Sequence, residues 1–167
     1  GVGAGVNTLC NVLHDLIDPS WRVVTIERSA MLHSDRKREA RLVTPNNLGH
    51  ELVNLVDCAS RMRADYIIMP EIVGGEAFNF IELIRDGSSG IGVVKGNNIF
   101  DTLRRLELKV AQSEFAISPD EVRYMINEAF DYVIYQARKE DGSRKITGIG
   151  QIGLNENSFD IDLIYKE

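Results

Sequence analysis

The chain has 167 residues, of which 44% are hydrophobic and 26% charged, and carries a formal net charge of −6. That is enough for one domain with a real core, and there is no apolar run long enough to cross a bilayer as a helix. The acidic balance argues against general affinity for nucleic acid, which needs a basic footprint.

The first residues form a glycine-rich loop, with Gly1, Gly3 and Gly5 around Val2 and Ala4. It runs straight into an amphipathic helix marked by Leu9, Val12, Leu13, Leu16 and Ile17, which Asp18-Pro19-Ser20 ends. Glycines there let backbone N–H groups crowd around an anion at a positive helix N-terminus. In a phosphate-binding loop a lysine and a hydroxyl residue follow the last glycine. Here those places hold Val6 and Asn7, and the hydroxyl of Thr8 comes one residue late. Such a loop ordinarily hangs from a strand. The expectation is a single domain over residues 1–167, a piece of a longer protein whose upstream strand and N-terminal domain are absent.

Residues 22–27 form a β-branched run that ends on an acid, Glu27, with Arg28 next. A polar stretch leads to a second strand over 40–44, broken by Pro45-Asn46-Asn47. Leu48, Leu52, Leu55, Val56, Ala59 and Met62 keep one helical face. Tyr66-Ile67-Ile68-Met69 reads as a buried strand delivering Pro70 and Glu71. Gly74-Gly75 opens a helix through Ala77, Phe80, Ile81 and Ile84, and residues 90–94 form a further strand. Ile99, Leu103, Leu106 and Val110 mark the next helix. Ser118-Pro119-Asp120-Glu121 is a capping box with proline at the first helical position. The tail then changes to a hairpin around Asp141-Gly142 and an alternating strand, Phe159 to Tyr165. Strands alternating with helices, followed by antiparallel strands, imply an α/β fold with a mainly parallel sheet and an antiparallel C-terminal extension.

An acid at the end of a hydrophobic strand, beside a phosphate loop, is the arrangement that organises Mg²⁺ or attacking water in nucleotide motors. By itself, Glu71 reads equally well as a solvated strand end. Cys10 and Cys58 read as buried structural thiols of a reducing compartment. His14, His33 and His50 lack metal-ligand spacing, and no metal site is expected. Arg36-Lys37-Arg38 with Arg41 is the one basic cluster, read as a solvated loop, with a subunit contact or an acidic partner as the alternative.

Taken together, Arg61-Met62-Arg63-Ala64-Asp65 through Glu71, followed by Gly74-Gly75-Glu76-Ala77, resembles the C-terminal motor domain of the type II/type IV secretion ATPases. The Tad-type pilus branch is the nearest match. Thr25-Ile26-Glu27, the stretch from Gly96-Asn97 to Arg105-Leu106-Glu107, and Asp141-Gly142-Ser143-Arg144 match further family segments in order. The resemblance implies a RecA-like P-loop NTPase fold in three layers. It also implies a degenerate phosphate loop (Gly1, Gly3, Ala4, Gly5, Val6, Asn7, Thr8), catalytic carboxylates at Glu71 and Glu27, and Arg28, Gly74, Gly75, Glu76 and Lys95 facing the site.

The departures are systematic. Val6 stands for the loop lysine, Asn7 for the Mg²⁺-binding hydroxyl, Arg28 for an aspartate, Lys95 for a histidine, Val73 for an arginine and Pro70 for a glycine. The resemblance therefore implies a pseudo-ATPase, a non-catalytic structural or regulatory subunit in which ATP with Mg²⁺ binds weakly at most. The alternative is a working motor in which Arg28 or Lys95 supplies the missing positive charge. A dinucleotide-binding domain, suggested by Gly1, Gly3 and Glu27, fails on the third glycine and leaves Arg61–Ala77 unexplained. Family members act as hexameric rings. The implied partners are thus related motor subunits, in a homo- or hetero-oligomer, and inner-membrane secretion or pilus components, with no nucleic acid. The implied location is the cytoplasm, with the inner face of the membrane as the peripheral variant.

Overall fold

The computed structural model describes residues 5–44, 52–156 and 158–167. Gly1, Gly3 and Ala4 of the glycine loop, the Pro45-Asn46-Asn47 break, Leu48 and His50 lie outside the described residues. The elements are α1 (Val6–Asp15), β1 (Val23–Glu27), β2 (Glu39–Val43), α2 (Leu52–Ser60), β3 (Tyr66–Met69), α3 (Glu76–Arg85), β4 (Ser89–Gly92), α4 (Ile99–Val110), α5 (Pro119–Ala129), β5 (Tyr132–Arg138), β6 (Arg144–Asn155) and β7 (Ser158–Lys166).

Four strands form a wholly parallel sheet in the order β2-β1-β3-β4. All five β1 residues are buried, as expected of a strand covered on both faces. Period-two alternation divides its side chains. Val24 and Ile26, with Ile67 and Met69 of β3, enter the main core against α2, α3 and α4. Val23 and Ile68 pack on the other face with Cys10 and Ile17 from α1 and its C-terminal turn, and with Leu32. Helices cover both faces, giving three layers.

The C-terminal strands make a sheet of their own, antiparallel in the order β5-β6-β7, which packs on α4 and α5. The extension is thus a second sheet rather than more strands on the first. Beyond Ile161 the alternation expected of β7 gives way to exposure on both sides, with Leu163, Ile164 and Tyr165 at 46%, 59% and 44%. Ser118 caps α5, its hydroxyl accepting the Glu121 N–H at 3.2 Å, with Pro119 at the first turn as the capping box predicts.

Two sequence expectations are corrected. Cys10 is buried, but Cys58 faces solvent, because its place on α2 lies off the Leu52–Val56–Ala59 stripe. The basic cluster is not a loose solvated loop. Arg36 donates to the Ile17 and Asp18 carbonyls after α1, Arg38 donates to the Ser20 carbonyl, and Arg41 pairs with Glu27. The Arg36 and Arg38 guanidinium groups close the α1–β1 turn, where carbonyls left over from the helix end need donors. His14 is likewise structural, fully buried with Nε2 3.0 Å from Glu39 Oε2.

Candidate functional site at the carboxyl edge of the parallel sheet

Three adjacent parallel strands deliver three charged residues to one edge. Arg28 follows β1, Glu71 follows β3 and Lys95 lies just beyond β4. Carboxyl ends of parallel strands are where α/β sheets form their functional crevices. The Lys95 ammonium lies 2.8 Å from Glu71 Oε1, and Arg28 Nη1 lies 3.9 Å from Oε2. The acid expected to organise a metal is therefore flanked by cations on both sides. Both cations stand at positions where the sequence departs from the motors it resembles.

The surrounding backbone fixes this geometry. Val93 donates to the Met69 carbonyl, and Ile72 donates to the Val93 carbonyl at 2.9 Å, tying the segments after β3 and β4 together. Asp101 accepts the Asn97 N–H at 2.8 Å and pairs with Arg105. The Asn97 bond first, then Arg105, hold its carboxyl below the usual range. Glu76 is buried and accepts the Val73 and Gly74 N–H groups, so it shapes its own turn rather than facing a ligand. Gly75 permits close packing, since a Cβ there would stand 2.8 Å from the Gln112 carbonyl oxygen. Lys109 donates to the Val73 carbonyl. Burial pushes its ammonium pKa down, with Glu76 and Glu71 opposing that shift.

Glu27 is committed elsewhere. Its side chain is fully buried and accepts the Met31 and Leu32 N–H groups at 2.6 and 3.0 Å and the Thr25 hydroxyl at 3.2 Å. Arg41 Nε completes the set at 2.9 Å. The carboxylate pins the segment after β1, which also docks on α1 through Asn7–Met31 and Asn11–His33 hydrogen bonds. Thr8 is exposed.

Gly5 precedes α1 with φ +80°, the left-handed conformation that glycine tolerates, and no side chain caps the helix. Sequence reasoning missed its neighbour. The Arg144 side chain from β6 lies against Gly5, with Nε 3.2 Å and Gln136 Nε2 3.5 Å from where a Cβ would stand. The signal was present in Asp141-Gly142-Ser143-Arg144, matched there as a hairpin and not as a source of charge.

A divalent cation does not fit this donor set. Glu71 meets two cations, Glu27 has its oxygens engaged, and the hydroxyl position after the loop is Asn7. Among the described residues no three His, Cys, Asp or Glu side chains gather as a metal-binding group.

The parallel sheet between helical layers, with charged residues at its carboxyl edge and an antiparallel sheet after it, is a RecA-like α/β fold. In sequence the chain is similar to type IV secretion proteins. It is 28% identical over 155 residues to VirB11 of Bartonella quintana, a match covering 88% of this chain and 43% of that protein. It is 29% identical over 161 residues to PtlH of Bordetella pertussis, covering 86% of this chain and 45% of the relative. The chain thus spans less than half the length of these curated relatives. The VirB11 ATPase of the Brucella suis type IV secretion system, solved with sulphate, superposes with a TM-score of 0.81 at 24% identity, over 90% of this chain and 47% of that one. No family model matches the chain. Among the described residues, no helix is long and apolar enough to cross a membrane.

Proposed function

We propose that this chain is a secretion-ATPase-like domain that works through contacts rather than hydrolysis, as a structural or regulatory subunit of a type II/type IV secretion or Tad-type pilus machine. The observation that carries this reading is the flanking of Glu71 by Lys95 and Arg28. A carboxylate that organises Mg²⁺ or water needs its charge directed at them. Here resident cations meet that charge. The same pairing weighs against a motor driven by Arg28 or Lys95, because each already faces an acid.

Arg144 against Gly5 supports a second reading, in which phosphate groups still bind weakly with a guanidinium in place of the loop lysine. The partners proposed are related motor subunits and inner-membrane components of the machine. Arg61 and Arg63, exposed on the turn between α2 and β3, are available for such contacts, whereas Glu76 and Ala77 are buried. Calorimetric titration with ATP, with and without Mg²⁺, tests the proposal. The expected Kd is weaker than about 100 μM and insensitive to the metal. Tight, Mg²⁺-dependent binding would overturn it.

A further inference from the structure

The antiparallel sheet ends on β7, which among the described residues pairs only with β6 and leaves its other edge open. The strand begins with ordinary alternation, Phe159 and Ile161 packing on the core while Asp160 and Asp162 are exposed. Leu163, Ile164 and Tyr165 break that alternation and stand exposed in succession. A register slip is the cause. Leu163 lies opposite Gly150 and Tyr165 opposite Ile149, so Ile164 is an extra residue with no β6 residue facing it. Three adjacent exposed apolar side chains on an open edge mark a contact surface. Charge is arranged on either side of them. Asp160 and Asp162 precede the apolar centre and Lys166 follows it. Among the described residues none of these three enters an ion pair, whereas Lys139 and Lys145 are both taken by Glu167, at 3.3 and 2.9 Å.

We propose that β7 docks on β7 of a second copy of this chain, antiparallel and about a two-fold axis near Leu163 and Ile164. A two-fold contact needs a self-complementary surface, in which residue i meets j and j meets i. The order acid, apolar centre, base along β7 has that property. Reversing one copy against the other lays the apolar centres together and brings each Lys166 opposite an acid of the other copy. With Leu163 at the axis that acid is Asp160, and with Ile164 at the axis it is Asp162. An axis at Asp162 would set two like charges face to face, which opposes that register. The bulge at Ile164 interrupts any continuous ladder across the edge, so the apolar side chains and the two Asp–Lys pairs carry the contact. Such a contact closes at two copies. It is therefore separate from the rings that the resemblance implies, and it does not depend on whether the carboxyl edge hydrolyses nucleotide.

Sedimentation velocity over a concentration series up to about 100 μM reads the assembly. The wild type should show a monomer–dimer equilibrium that weakens as salt screens the Asp–Lys pairs. Lys166→Glu sets acids against acids, and Ile164→Glu puts a charge into the apolar centre. Each should raise the dimer Kd by at least about tenfold, with circular dichroism confirming the fold. Asp160→Lys combined with Asp162→Lys should weaken the dimer to a similar degree when alone. Mixed with Lys166→Glu it restores opposite charges at both ends of the contact, and the dimer should return. If Ile164→Glu fails to fold, the charge variants and their mixture decide. Three results would overturn the proposal: a monomer throughout the series, a dimer that Lys166→Glu leaves unchanged, or a mixture of the two charge variants that stays monomeric.

Discussion

Replacing Glu27 by alanine removes the acceptor for the Met31 and Leu32 N–H groups and leaves the Arg41 guanidinium without its buried partner. The side chain is 0% exposed, and Arg41 is 35% exposed. Breaking a buried ion pair costs about 3–5 kcal/mol, and an orphaned buried donor about 1–3 kcal/mol. Water reaches Arg41 and recovers part of the first sum, so the expected loss for Glu27→Ala is about 3 kcal/mol. Glu27→Gln keeps one acceptor oxygen and should lose about 1–2 kcal/mol, chiefly from the charge-assisted bonds. Urea denaturation followed by circular dichroism measures both, with the slope compared to confirm that the same surface is exposed on unfolding. Glu27→Ala within about 0.5 kcal/mol of the wild type would refute this reasoning and return Glu27 to the list of groups free for chemistry.

The two cysteines should differ sharply. Cys58, exposed, should react with a thiol reagent at once in the native state, and Cys10 only on unfolding. Equal native rates would contradict the packing of α1. Burial, with Glu27 adding to it, pushes the Cys10 thiol from 9.0 up to about 11. A raised thiol pKa favours the neutral form in the folded state, so its contribution is complete below pH 9.0 and is lost as pH rises toward about 11. Cys10→Ser should therefore flatten the alkaline fall in stability, and an unchanged profile would refute the assignment. Gly75→Ala places a Cβ 2.8 Å from the Gln112 carbonyl oxygen and 3.0 Å from Ser113 Cα. It should cost about 1–3 kcal/mol by overpacking backbone on backbone, seen as a lowered Tm. A neutral substitution would mean that the α3–α4 contact is looser than described.

The parallel sheet was legible because its strands are buried on both faces and read as unbroken apolar runs, as in Val23–Glu27 and Tyr66–Met69. Helices α3, α4 and α5 were legible from their apolar spacing, and α5 also from its cap. Arg28, Glu71 and Lys95 were each expected to face one site, but their direct ion pairing was not expected. That depends on β1, β3 and β4 being neighbours, a matter of topology rather than local pattern. The structural use of Arg36, Arg38 and Arg41 was hidden for a similar reason, since charge runs look the same whether they face water or carbonyls. Arg144 was missed because its partner, Gly5, lies at the other end of the chain. The exposure of Cys58 followed from one helical position, finer than the spacing of Leu52, Val56 and Ala59 resolves.

Steady-state phosphate release from ATP and Mg²⁺, measured on the wild type beside Glu71→Gln, separates a silent carboxyl edge from a working one. With Glu71 held between Lys95 and Arg28, both proteins should release phosphate at the same background rate. Turnover on the order of 1 s⁻¹ in the wild type that disappears in Glu71→Gln would contradict the account and make the chain a working motor.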